Sequence, residues 1–99
     1  MPSVSFSKSA VNDLSDIWRY TANAWSETQA DKYYKMLIDS CNRLVCRDNA
    51  LFIRDYGHIK TGLKGIRVGK HIVFYKRYDN GNALIVRILH EAMDAPRHL

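Results

Sequence analysis

Arg67, Lys76 and Arg87, together with His71, His90 and Glu91, all fall within one stretch, residues 62–94. Arginine grips phosphate or carboxylate through paired N–H donors, and imidazole moves protons near neutral pH. Cleaving a phosphodiester needs a base, an acid and a cation for the developing charge; the arginines meet the cation requirement, and His90 and Glu91 are the candidates for acid and base. The set has the right chemistry only if those residues share a face. The plainer alternatives are a hydrogen-bonded structural His90 at a sheet end, and arginines paired with Glu91 or Asp94. The four histidines and two cysteines match no ligand spacing, so no metal site is expected.

Two hairpin signals set the faces. Gly69-Lys70 suits a two-residue II′ turn and Asn80-Gly81 a two-residue I′ turn, giving three antiparallel strands. Register then follows by counting. Val68 opposes His71, Arg67 opposes Ile72, Phe74 opposes Arg87 and Tyr75 opposes Val86. One face carries Ile66, Val68, Val73, Tyr75, Leu84, Val86 and Ile88, with His71 opposite His90 at its margin. The other carries Arg67, Ile72, Phe74, Lys76, Ile85, Arg87 and Leu89. The more apolar first face is expected to pack on helices, leaving the mixed second face as a binding surface. His90 falls on the first face, away from both arginines.

Those helices come earlier in the chain. Val4-Ser5-Phe6 alternates as a short strand, and Ser7 is an N-cap for a helix from Lys8 to about Ala24. Ala10, Leu14, Ile17 and Thr21 make one stripe on it, and Val11, Trp18, Ala22 and Trp25 a second. One core needs only one stripe. Ser26-Glu27-Thr28-Gln29 matches a capping box, with Trp25 placed to staple on Ala30, so a second helix runs to about Arg47. The short connection makes an αα-hairpin. Asp48 to Thr61 reads as irregular, anchored by Leu51, Phe52 and Ile53. The order of elements implies a single α+β domain over residues 1–99. An N-terminal strand and an αα-hairpin pack on one face of a small, mainly antiparallel sheet.

Charge is unevenly distributed. Residues 1–59 hold seven basic and seven acidic side chains, whereas residues 60–99 hold eight basic and three acidic. The whole surplus of +5 lies beside the sheet, which points to an acidic partner or else to a solvated basic face. Cys41 and Cys46, five apart on one predicted helix, point about 140° apart and cannot form a disulfide. No apolar run reaches membrane-spanning length and no segment reads as a signal peptide, so a soluble cytoplasmic protein is expected.

Three stretches carry a family resemblance: Asp13-Leu14-Ser15-Asp16-Ile17-Trp18-Arg19-Tyr20; Gly65–Val68 with His71–Tyr75; and Arg87-Ile88-Leu89-His90 with Asp94 and Arg97-His98-Leu99. In this order and spacing they resemble the ParE toxins of the RelE/ParE superfamily. One departure is that residues 47–52 lack the Pro often found between the second helix and the sheet.

The resemblance implies the toxin of a type II toxin–antitoxin pair, which arrests growth by binding DNA gyrase and is neutralised by a cognate antitoxin. It implies no cofactor, no membrane and no direct nucleic-acid contact, since DNA binding belongs to the antitoxin. Arg67, Lys70, Arg77, Arg87 and His90, with the C-terminal tail, are the expected target contacts. Val11, Trp18, Trp25 and Tyr34 are the expected antitoxin contacts. The alternative within the superfamily is a ribosome-dependent endoribonuclease of the RelE type, in which Arg67 and Arg87 would meet the phosphate. A further alternative is direct nucleic-acid binding, with Phe74 as a stacking platform on the basic face.

Overall fold

Ser7 ends a strand and starts a helix with one hydroxyl. Its Oγ accepts the Ala10 N–H at 3.0 Å and donates to the Val86 carbonyl at 2.6 Å, so the helix start is pinned to the sheet. In the computed structural model, which describes residues 2–45 and 52–99, β1 is Val4–Phe6 and α1 is Lys8–Ala24. Ser26 then caps α2, Glu27–Arg43, by accepting the Gln29 N–H at 3.0 Å. β2 (Ile53–Asp55), β3 (Lys64–Val68), β4 (His71–Arg77), β5 (Ala83–His90) and a single turn α3 (Ala95–His98) complete the chain. The sheet order is β1-β5-β4-β3-β2. β1 runs parallel to β5 and every other pair is antiparallel.

Both helices lie on one face, α1 over β5 and α2 over β3. Their buried stripes close on the sheet through Leu14, Leu37, Cys41 and Leu44 against Ile66, Val73, Tyr75, Ile85 and Ile88. Each fully buried Leu or Ile there contributes about 1.5–3 kcal/mol. The expected architecture is therefore the observed one, with β2 and α3 added.

Several local expectations need correction. The β3–β4 turn is as read: Gly69 alone has positive φ (+58°), as II′ requires, and Val68 pairs with His71. The β4–β5 turn is not I′, because Asn80 keeps negative φ and only Gly81 (+88°) is left-handed. Tyr78 N–H donates to the Asn82 carbonyl at 2.8 Å and Gly81 N–H to the Tyr78 carbonyl at 2.9 Å, making a three-residue loop. That extra residue is absorbed by a bulge, so Phe74 pairs with Arg87 as expected but Tyr75 pairs with Ile85 instead of Val86. Ala83 and Ile85 consequently join the helical core, while Val86 turns to the other side.

The stretch before β3 also differs. Ile53 opens an edge strand where irregular chain is expected, and Phe52, 89% exposed, anchors nothing. The anchors are Tyr56, Ile59 and Leu63, and the turn that holds them is closed by bonds between Tyr56 and Leu63 and between Leu63 and Lys60. α2 ends at Arg43 rather than near Arg47. Trp25 stays 78% exposed, so it makes no effective staple on Ala30. Leu51 and Cys46 lie outside the described residues.

Candidate functional site

The second sheet face is not an open basic surface. Leu63, Phe74 and Leu89 are buried on it, packed by Tyr56, Ile59, Ile72, Val86, Ala95 and Leu99. Phe74 from β4 and Leu89 from β5 require a cover, and the 56–63 turn, which brings Leu63, and the C-terminal turn supply one. Gly65 allows the close approach, since a Cβ there would lie 2.7 Å from Tyr56 Cε2. Phe74, with 1% of its surface exposed, is a core residue and cannot serve as a stacking platform. The mixed face read from the sequence is a second small core.

The expected target contacts separate into three places. Arg67, Lys70 and His90 gather at the β3–β4 turn. There the Tyr33 hydroxyl accepts the Lys70 N–H at 3.0 Å and bonds His71 Nδ1 at 2.6 Å. Burial, then the neighbouring His90, push the His71 pKa down to about 4, against the pull of Asp13 and Glu91. The His71 and His90 rings meet edge to face at 5.4 Å, and His90 Nδ1 accepts the Ala92 N–H at 3.1 Å. Both imidazoles are thus engaged in holding the sheet end. Arg67 pairs with Glu91, yet its side chain is 68% exposed, and Lys70 is exposed beside it.

Arg77 lies at the other end of β4, seven residues from Lys70 and so roughly 20 Å away, with its guanidinium on the Leu44 carbonyl that caps α2.

Arg87 occupies the third place, where β5 continues past the end of β1 and α1 covers its edge. Its Nε and Nη2 donate to the two Asp13 carboxylate oxygens at 2.8 and 2.9 Å, and its Nη1 donates to the His98 carbonyl at 2.8 Å. Asp13 also accepts the Ile88 N–H at 2.9 Å. The pair is largely enclosed, with 24% of the Arg87 side chain and 12% of the Asp13 side chain exposed. The hydrogen bonds that Arg87 donates to Asp13 raise the Arg87 pKa above its ordinary value despite burial. Sequence reasoning missed Asp13 as a functional candidate. The available signal was its position: three residues after Ala10 and four before Ile17, it falls on the core stripe of α1, where an unpaired carboxylate would be costly.

The expected antitoxin contacts all lie on the helical hairpin. Val11, Trp25 and Tyr34 are exposed. Trp18 is half-buried, and its indole N–H donates to Asp31 Oδ1 at 2.9 Å, tying α1 to α2. Between α2 and the β2–β3 edge runs an open cleft of about 580 Å³, lined in part by Met36, Arg54 and Arg67. Among the described residues, no group of three or more His, Cys, Asp or Glu could hold a metal ion. No helix among them is long and apolar enough to cross a membrane.

Comparison with known proteins agrees with this geometry. The chain is 31% identical over 93 residues to Toxin ParE1 of Mycobacterium tuberculosis, spanning 94% of this chain and 93% of that one. A chain of the chromosomal ParDE TA system from P. aeruginosa superposes with a TM-score of 0.74 at 15% identity, covering 91% of this chain and 96% of that one. One from the toxin–antitoxin complex RelBE2 of M. tuberculosis gives 0.54 at 18% identity, covering 91% and 99%. These two likenesses show the fold alone. The family described as ParE toxin of type II toxin-antitoxin system, parDE, matches residues 4–95, and the chain belongs to that family.

Proposed function

We propose that this chain inhibits DNA gyrase by direct binding, in the cytoplasm and without a cofactor, and that a cognate antitoxin neutralises it. Membership of the ParE family supports a toxin of this kind. The observation that carries the choice of binder over RNA-cutting enzyme is the closed second face. Leu63, Phe74 and Leu89 close the middle of that face, and Arg87 is held by Asp13 and the His98 carbonyl, so the two sheet arginines do not share an open surface on which one phosphate could lie. Arg67 and Lys70 remain as exposed cations at one end of the sheet, with His90 behind them. We assign the target contact to this end, to Arg77 at the far end of β4, and to the C-terminal turn. We assign the antitoxin contact to Val11, Trp25 and Tyr34, with Trp18 supporting them from between the helices. No direct contact with nucleic acid or membrane is proposed.

A supercoiling assay with purified gyrase, relaxed plasmid and excess protein tests this reading. Lost supercoiling with trapped cleaved DNA is the expected result. Normal supercoiling in the presence of folded protein would sink it, and mRNA cleavage on ribosomes would then establish the RelE-type alternative.

A further inference from the structure

We infer that Asp13 is a positioning residue for target inhibition: through Arg87 it holds the C-terminal turn, residues 95–99, in its place on the sheet. Arg87 then acts by orienting that turn and not by touching the target itself. The inference rests on the reading above that the turn takes part in target contact.

The turn has little of its own to hold it. α3 is four residues long with Pro96 in its first turn, its N-cap Asp94 makes no side-chain cap bond, and none of its residues is fully buried. A single helical turn is unstable alone, because nucleation costs more than one hydrogen bond returns. Among the described residues, two outside contacts fix it: Leu99 and Ala95 against the second core, and the Arg87 bond to the His98 carbonyl.

Arg87 can make that bond because its other two donors are committed. Asp13 takes Nε and Nη2 as a fork, which leaves Nη1 aimed at residue 98. Asp13 is in turn fixed by the Ile88 N–H, and Arg87 lies 74 residues from Asp13 and 11 from His98. A carboxylate on the first helix thereby sets where the turn stands, and with it Arg97, whose guanidinium pairs locally with Asp94 at 3.5 Å.

Asp13→Asn is the decisive variant, because it releases the Arg87 cation without removing it. Were Arg87 itself a target contact, release would leave inhibition unchanged or strengthen it. The expected result is at least a tenfold loss of gyrase inhibition, at least tenfold faster amide exchange at Arg97 and Leu99, and an antitoxin Kd within threefold of wild type. Leu99→Ala loosens the turn from its other end and should give the same pattern even if Asp13→Asn folds poorly. Undiminished inhibition by a chain whose turn exchanges faster would overturn the inference, as would an Asp13→Asn turn that exchanges at the wild-type rate. If wild type leaves gyrase untouched, the fault lies with the target reading. The same comparison is then made on growth arrest, which needs no knowledge of the target.

Discussion

His71 is an ionisable side chain whose charge the fold controls near neutral pH. Its pKa falls from 6.5 to about 4 because burial and the neighbouring His90 both disfavour the imidazolium. Between those two values the unfolded chain binds a proton that the folded chain does not, so folding stability rises with pH across the window. The contribution is complete above pH 6.5 and is lost as pH falls towards 4. One proton sets a ceiling of about 1.4 kcal/mol per pH unit, and partial exposure of the ring lowers it. Urea unfolding between pH 4 and 7 should therefore show a steeper loss for wild type than for His71→Gln. Parallel curves would mean that His71 does not titrate in this range. Cys41 offers a second check at the same scale. Its burial pushes the thiol pKa up to about 12, so no useful thiolate forms at pH 8. Iodoacetamide should leave Cys41 unmodified in the native protein and alkylate it in urea, as peptide mass spectrometry would read. Rapid native labelling would contradict the packing of α2.

At the scale of elements, the ease of reading the sequence tracked how local each signal was. α1 and the β3–β4 hairpin were legible because Ser7 and Gly69 act on residues within three or four positions of themselves. β2 was not, because Ile-Arg-Asp has no buried side to produce an alternating pattern and exists only by pairing with β3. The β4–β5 register failed for a different reason. Asn80-Gly81 fits two turn types, and the Asn80 side chain decides between them by accepting the Asn82 N–H at 3.0 Å. The Gly69 turn yields a prediction. A Cβ there would require positive φ and would lie 2.7 Å from the Tyr33 hydroxyl, displacing the group that binds Lys70 N–H and His71. Gly69→Ala should cost about 2 kcal/mol or more, counting backbone strain and overpacking together. Chemical denaturation measures it, and a loss under about 0.5 kcal/mol would show that the turn relaxes at little cost.

Across the whole molecule, residues far apart in sequence make the surfaces that matter, and here sequence reading was weakest. The first and last motif stretches, recognisable separately, meet in the Asp13–Arg87 bridge, which no spacing rule connects. The second core was hidden likewise, since its cover comes from the 56–63 turn and the chain end. The helical hairpin is where whole-molecule reasoning sharpens a prediction, because the second stripe of α1 divides into two kinds of residue. Trp18 spans the helices through its bond to Asp31, so Trp18→Ala should cost about 1–3 kcal/mol of stability whatever it does to antitoxin binding. Trp25 is 78% exposed and Val11 half exposed, so replacing both with Ser removes far less buried surface than emptying a core position would. If these two form the centre of the antitoxin contact, their loss should weaken binding by at least tenfold, since buried aromatic anchors dominate such interfaces. Calorimetry with the cognate antitoxin and a thermal melt of the free toxin separate the outcomes. A raised Kd with Tm held within about 2 °C makes the stripe a docking surface, because so small a shift means stability barely changed. An unchanged Kd would move the antitoxin elsewhere, with the cleft beside β2 and its Arg54 and Arg67 as the next place to substitute.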